Sequence, residues 1–358
     1  MFKRKKNEVF TPASAAEAYI PVDSDFVFKD NAGEIEIDTN YTSQSFWKEV
    51  FIRFFRKGSA VFGVVMIIMI TIMAIIGPSM NDYTYSDQHL TEKSLAPRIP
   101  GLEKLGIFNG DEKLNTSTGT VVVNNYKEKG LDDVYYWFGS DNFGRDIWTR
   151  TWHGARVSLI IAVVAAVIDM IIGMSYGLIS GYFGGKIDMV MQRILEVANS
   201  IPRLVIVTLL LLVLKPGMIT IIIALMLTEW VGMSRIARAE MLKLKEREFV
   251  LASRTLGAGS FHIIFREILP NIIGPIITQV MFSIPTAIFT EAFLSFVGLG
   301  IPVPECSLGS LISDGFNSFT THPYQIVAPI VVMALLMLSF NLVADGLREA
   351  LDPKLRRM

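Results

Sequence analysis

Four acidic side chains, Asp169, Glu196, Glu229 and Glu291, stand in or at the edge of stretches that otherwise carry almost no charge. An ionisable group in such surroundings is costly, and it is kept where it faces a neighbouring helix or a wet cavity. Asp169, near the middle of VSLIIAVVAAVIDMIIGMSYGLIS, reads as a helix-to-helix hydrogen bond or as a lining residue of a polar path. Catalytic chemistry has little else to use. One cysteine, Cys306, excludes an intrachain disulfide framework and a multi-cysteine metal site, and His89, His153, His262 and His322 are too scattered for a ligand cluster. GYFGGKI, Gly181 to Ile187, has the look of a phosphate loop but lacks its first glycine, where Ser180 stands, and its Mg²⁺-binding hydroxyl, where Ile187 stands. It reads as a turn. No nucleophile paired with a base appears, so we expect no enzyme activity, no bound metal and no cofactor on this chain.

The elements that hold these residues read as membrane spans. Of 358 residues, 51% are hydrophobic and only 19% charged, a greasier balance than an ordinary soluble domain has. Ser59 to Gly77 has no charge and, at ~1.5 Å per residue, nearly crosses a ~30 Å hydrocarbon core. Lys3 to Lys6 and a polar segment precede it, unlike a cleaved signal peptide. Val157–Ser180, Ile194–Leu214, Met218–Met233 and Gln325–Val343 follow, and Ile272–Leu299 is a sixth, interrupted by Pro275, Pro285 and Glu291. Prolines in a span are tolerated where neighbouring helices satisfy the freed backbone groups, so a kinked helix inside a bundle is expected there.

Basic residues gather at Arg53, Arg56 and Lys57, at Lys186 and Arg193, between Arg235 and Arg266, and after Arg348, whereas Gly300 to Tyr324 has none. The positive-inside rule then puts both termini in the cytoplasm of a multi-pass protein. The expected organisation is a cytoplasmic segment 1–58, a first span 59–77, an outer loop 78–152, a core 153–347 with five spans and a cytoplasmic loop 235–270, and a tail 348–358. In the outer loop, TSTGTVVVNNYKEKG sets a β-branched run between turn residues, the pattern of a small hairpin insert. Met1 to Ser45 is expected to be unstructured or loosely packed. The net charge of −1 gives no reason to expect a nucleic-acid partner.

A long charged interruption, EFVLASRTLGAGSFHIIFREILPN (Glu248 to Asn271), separates the fourth and fifth spans. Phe249, Ala252 and Leu256 recur at helical spacing with Arg247 and Arg254 elsewhere on the wheel, the pattern of a short surface helix. Gly257-Ala258-Gly259 breaks it, Ser260 can cap a second short helix over Phe261–Ile268, and Pro270 restarts the chain into the next span. Three readings stand: a connecting loop, a helix on anionic headgroups, or a helix–turn–helix knob that docks in a partner's groove.

This interruption resembles the cytoplasmic loop of binding-protein-dependent ABC importer permeases, which has the form E-A-A, three residues, G, nine residues, I-x-L-P. In that frame Gly257, Leu269 and Pro270 are kept, while Leu251 replaces the glutamate and Glu267 the isoleucine. FGSDNFGRDIWTRTWHGARVSL from Phe138, GYFGGKID, WVGMSRIARAEMLKLKEREF from Trp230, LPN at Leu269, EAFLSFVGLGIP from Glu291 and FNLVADGLREALDPKLR from Phe340 are similar, in the same order, to the C-type permease of dipeptide, oligopeptide and nickel importers. The likeness runs from about Trp47 to Arg356, apart from the inserted outer loop.

The resemblance implies an all-α integral membrane protein with six transmembrane helices, the type I importer permease fold, a cytoplasmic coupling helix and an inserted extracellular loop. It implies a homologous second permease, two ATP-binding subunits that use ATP and Mg, an extracellular substrate-binding protein and a peptide substrate in a cell membrane. Nickel or another small solute is the alternative cargo. A membrane scaffold or sensor without transport is the alternative of a different class. Contact with the ATPase is expected from Phe249, Ala252, Ser253, Leu256, Gly257, Ala258, Gly259, Phe261, Leu269 and Pro270, resting on apolar fit more than on the missing glutamate. Asp169 and Glu291 are the candidates for the translocation path, with a shared structural role near an outer gate as the other reading of Glu291. Arg145 and Asp146 read as a salt-bridged outer cap, or as contacts for the extracellular protein.

Overall fold

Uninterrupted apolar stretches that close their own backbone hydrogen bonds as helices are one of the two structures a bilayer admits, and long helices dominate the computed structural model. It describes residues 46–116, 119–131 and 133–352. The expectation for Met1–Ser45 lies outside these residues. Five stretches among them are long and apolar enough to cross a membrane: Gly58–Ser79, Ile147–Phe183, Met218–Leu244, Ser260–Phe296 and Tyr324–Leu351.

In chain order, α1 (Phe46–Arg56) precedes α2 (Gly58–Ile76), and the two are separated by Lys57 alone, which is extended. The segment after α2 holds an antiparallel hairpin, β1 (Asp111–Thr116) paired with β2 (Gly119–Asn124) in the register Asp111 to Asn124, followed by the single turn α3 (Asn125–Glu128). Leu95, Tyr126 and Tyr136 form a small core of their own beneath it. Next come α4 (Ile147–Phe183), α5 (Gly185–Ser200), α6 (Arg203–Val213), α7 (Met218–Thr228) and α8 (Trp230–Leu244). They are followed by α9 (Glu248–Thr255), α10 (Ser260–His262), a π-helical turn Ile263–Ile268, α11 (Leu269–Phe296), α12 (Leu308–Asn317) and α13 (Tyr324–Leu351).

The expected span Ile194–Leu214 is not one helix. It breaks at Ile201–Pro202 into α5 and α6, which meet at 80°. Proline disfavours the helical region for the residue before it and supplies no N–H to continue the ladder, and Ile201 is accordingly extended with ψ 122°. The expected span Met218–Met233 instead runs on to Leu244 with only a turn at Glu229. α11 passes through both Pro275 and Pro285 without ending.

α4, 37 residues and at ~1.5 Å per residue about 55 Å long, is the central post. The main core gathers Ile161 and Ala165 of α4, Ile70 of α2, Ile221 and Leu225 of α7, Ile288 of α11 and Leu336 of α13 around it. One face of α4 is made of glycine: a Cβ at Gly173, Gly177 or Gly181 would lie 2.5, 2.2 and 2.8 Å from Trp230 O, Ser234 O and Met241 Cγ of α8. Small residues every four positions let two backbones approach where lipid offers no hydrophobic drive for association. α2 and α13 meet the same way, with Gly63 against Ser339 O and Gly346 against Ala60.

Candidate functional site

The charged interruption folds as a knob on the end of α8. Arg247, extended, turns the chain into α9, whose end is closed by a hydrogen-bond pair: Gly257 N donates to Arg254 O and Ala258 N to Ser253 O, each at 3.0 Å. This is the Schellman arrangement, which needs a left-handed residue after the cap, and Gly257 supplies it with φ +86°. The glycine is required by its backbone, since nothing lies within 4 Å of where its Cβ would be. Ser260 does not cap the next helix. Gly259 takes the cap position without a side-chain bond, and Ser260 is already helical. Phe261–Ile268 is likewise not a separate helix but the beginning of the continuous stretch to Phe296. The π turn over Ile263–Ile268 widens the helix just ahead of Pro270, which would otherwise set its ring against the carbonyl four residues back.

Val250 holds the knob inward, buried with Met241 of α8 and Ile263, Ile264 and Ile268 of the π turn. Burial of a valine of this kind is worth about 1.5–3 kcal/mol. Of the expected contact residues, Phe249, Ala252, Leu256, Gly257, Gly259, Phe261 and Pro270 are exposed, and Ser253, Ala258 and Leu269 are half-buried. Leu256 is 88% and Phe261 74% exposed. Phe261 leans on Phe265 with ring centroids 4.5 Å apart. The knob therefore presents apolar side chains on a framed, internally satisfied turn.

A clamp that the sequence reading missed fixes α8, and with it the knob, to α4 and α5. Arg238 Nε and Nη2 donate to Asp188 Oδ1 and Oδ2 at 2.7 and 2.6 Å, a bidentate pair. Ser180 Oγ donates to Asp188 Oδ1 at 2.5 Å, and Lys245 Nζ to Gly181 O at 3.1 Å. Asp188 ends GYFGGKID and Arg238 lies in the stretch from Trp230, so both motifs were visible; their pairing across 50 positions was not.

The two path candidates lie apart in the bundle. Asp169 Oδ2 accepts from Ser283 Oγ of α11 at 2.6 Å, while its buried Oδ1 has no hydrogen-bond partner. Glu291 is fully buried and accepts from Ser158 Oγ of α4 at 3.1 Å and Ser295 Oγ at 2.7 Å. Ser158 Oγ in turn accepts from Leu308 N at the start of α12, so Glu291 ties three elements together. Glu229 is not isolated either, accepting from Arg203 Nη1 at 2.6 Å.

In FGRD, Arg145 and Asp146 do not pair with each other. Arg145 Nε donates to Asp141 Oδ2 at 2.6 Å, and Asp146 instead caps α4, its Oδ2 accepting from Thr149 N at 2.8 Å and Asn81 Nδ2 at 2.7 Å. A residue just before a helix is better used on the orphan N–H groups of the first turn than on a neighbour. Burial pushes the Asp146 carboxyl up, with the bonds from Thr149 opposing it. Arg150, almost wholly buried, donates Nη1 to Tyr85 O at 2.9 Å and lies 3.7 Å from Asp141. Among the described residues no group of three or more His, Cys, Asp or Glu is placed to hold a metal ion.

Residues 173–357 match the family described as binding-protein-dependent transport system inner membrane component, and residues 45–97 match the N-terminal transmembrane domain of oligopeptide transport permease C. The oligopeptide transport system permease protein OppC of Bacillus subtilis is 41% identical over 91% of this chain and 95% of its own length. The dipeptide transport system permease protein DppC of the same organism is 39% identical over 88% of each, and OppC of Escherichia coli K12 is 34% identical over 87% of this chain and 92% of its own. An inward-facing structure of the MetNI methionine ABC transporter aligns at TM-score 0.48 and 17% identity over 57% of this chain and 96% of that one. With nearly its whole span bundle inside these matches, the chain belongs to the binding-protein-dependent transport permeases, as an integral membrane component.

Proposed function

We propose that this chain is one of two homologous permease subunits of an ATP-driven peptide importer and forms half of the path. Two separate ATPase subunits would hydrolyse Mg-bound ATP, and an extracellular binding protein would deliver the peptide. The observation that carries the reading is the knob: exposed Phe249, Leu251, Leu256 and Phe261 on a turn held rigidly to α8 and, through Asp188 and Arg238, to α4. A partner that grips this surface and moves it moves the spans as a body, the mechanics of alternating access. Peptide is favoured as cargo because the relatives that match most of the chain are named for oligopeptide and dipeptide transport. The basic residues at Arg53, Arg56, Lys57 and Arg348 support a cytoplasmic placement of the termini and the knob.

The test is Gly257→Val in the assembled complex. A β-branched residue at φ +86° costs roughly 1–2 kcal/mol and distorts the Schellman turn. Substrate-stimulated ATP hydrolysis should fall severalfold while the chain still inserts and assembles; unchanged stimulation would overturn the lever. Mass spectrometry of what the cognate binding protein carries decides the cargo.

A further inference from the structure

α1 has two apolar faces, and the bundle covers one. Val50 and Phe54 are buried with Ala60 of α2 and Val343 and Ala350 of α13. Beside them Trp47, Phe51 and Phe55, also four positions apart, form a second row that is open, Phe51 being 60% exposed. Phe51 and Phe55 stack on each other at 6.3 Å rather than on the bundle. The remaining arc carries Lys48, Glu49, Arg53 and Arg56, interrupted by one exposed apolar residue, Ile52, and Arg53 Nη2 donates to Glu49 Oε1 at 2.5 Å.

This helix is joined directly to a membrane-spanning stretch. Lys57 alone separates it from α2, whose Phe62, Val65, Met69 and Ile72 stand open on the outside of the bundle as a lipid-facing row. Lys57 Nζ is also bonded to Glu349 Oε2 at 2.5 Å, which pins the junction to the end of α13. An open row of Trp and Phe one residue from the end of a span is at headgroup depth, where amphipathic aromatic rings are most stable.

We propose that α1 is an interfacial anchor lying in the plane of the membrane. Trp47, Phe51 and Phe55 sit at the boundary of headgroups and acyl chains, and Lys48, Arg56 and Lys57 sit against anionic headgroups, which attract each basic residue placed near the surface. Cover by an ATPase subunit is the outcome that the experiment distinguishes from this.

Phe51→Cys, Phe55→Cys and Lys48→Cys are made one at a time in the full chain and spin-labelled. The native Cys306 is fully buried and does not compete. The chain is measured alone and in the assembled complex, in nanodiscs of phosphatidylcholine and phosphatidylglycerol, for collision with oxygen and with a water-soluble nickel chelate. Labels at 51 and 55 should meet oxygen and be shielded from the chelate, and the label at 48 should show a ratio severalfold lower, both alone and assembled. Chelate access at 51 and 55 would overturn the proposal, as would shielding from both reagents that appears only on assembly. Quenching of the native Trp47 by lipids brominated near the headgroup, taken as the difference from Trp47→Phe, gives a reading independent of any cysteine placed in α1. Absence of that quenching also overturns the anchor, and neither result depends on cargo or on ATP coupling.

Discussion

Cys306 shows how one residue's chemistry follows from where the chain puts it. Its thiol is fully buried beside Arg150, and Sγ donates to Arg150 O at 3.5 Å. Burial pushes the thiol up to about 11, with Arg150 and Arg145 pulling the other way. A raised value favours the neutral thiol, so at pH 9, where an ordinary thiol is mostly ionised, Cys306 stays predominantly protonated. Alkylation of the native chain should therefore be negligible from pH 7 to 9 and become complete in denaturing detergent, read by mass shift. Fast labelling of the folded chain at pH 8 would mean that the loop over Cys306 opens. The acidic residues in the bundle divide by the same reasoning from surroundings. Both oxygens of Glu291 have hydroxyl donors and the residue joins three elements, which fits a structural part; Asp169 keeps one oxygen unpaired, which makes it the stronger candidate for a role in the path.

Helix contacts decide which features of an element could be read in advance. At the α4–α8 contact a Cβ on Gly177 would stand 2.2 Å from the Ser234 carbonyl, whereas one on Gly232, also helical, would meet nothing within 4 Å. Opposite signs follow. Gly177→Ala should destabilise the solubilised chain by on the order of 1–3 kcal/mol because backbone must move, and Gly232→Ala should stabilise it by roughly 0.5–1 kcal/mol through helix propensity. Thermal unfolding of the two variants in one detergent tests this, and equal shifts would rule out the close contact. In the sequence both are glycines in apolar helices, and only the facing element separates them. The spans and the Gly257 break were legible because hydropathy and turn chemistry are local. The break at Ile201–Pro202 was equally local and was overridden by the apolar run around it. The Asp188–Arg238 clamp and the replacement of an Arg145–Asp146 pair by a cap were not legible, since each depends on which distant backbone arrives nearby.

At the scale of the whole molecule, the surface is uneven in a way that a lone chain does not explain. α5 and α6 bury little of themselves: Leu195 is the buried residue of one and Val207 of the other, while Met189, Val190, Ile194, Val197, Leu209 and Leu212 stand open. Two helices bent by 80° cannot both lie along a bilayer normal, so this open face is not that of a simple lipid-facing span. In the proposed importer it meets the second permease, whose matching face would close the path. Val197→Cys then gives a direct reading, because the native thiol is buried and silent. In detergent the chain produced alone should react with a small maleimide, and the chain produced together with its second permease should be protected severalfold, with reactivity returning when the complex is dissociated. Equal labelling in both preparations would place α5 outside the subunit contact and require the path to be closed by another face.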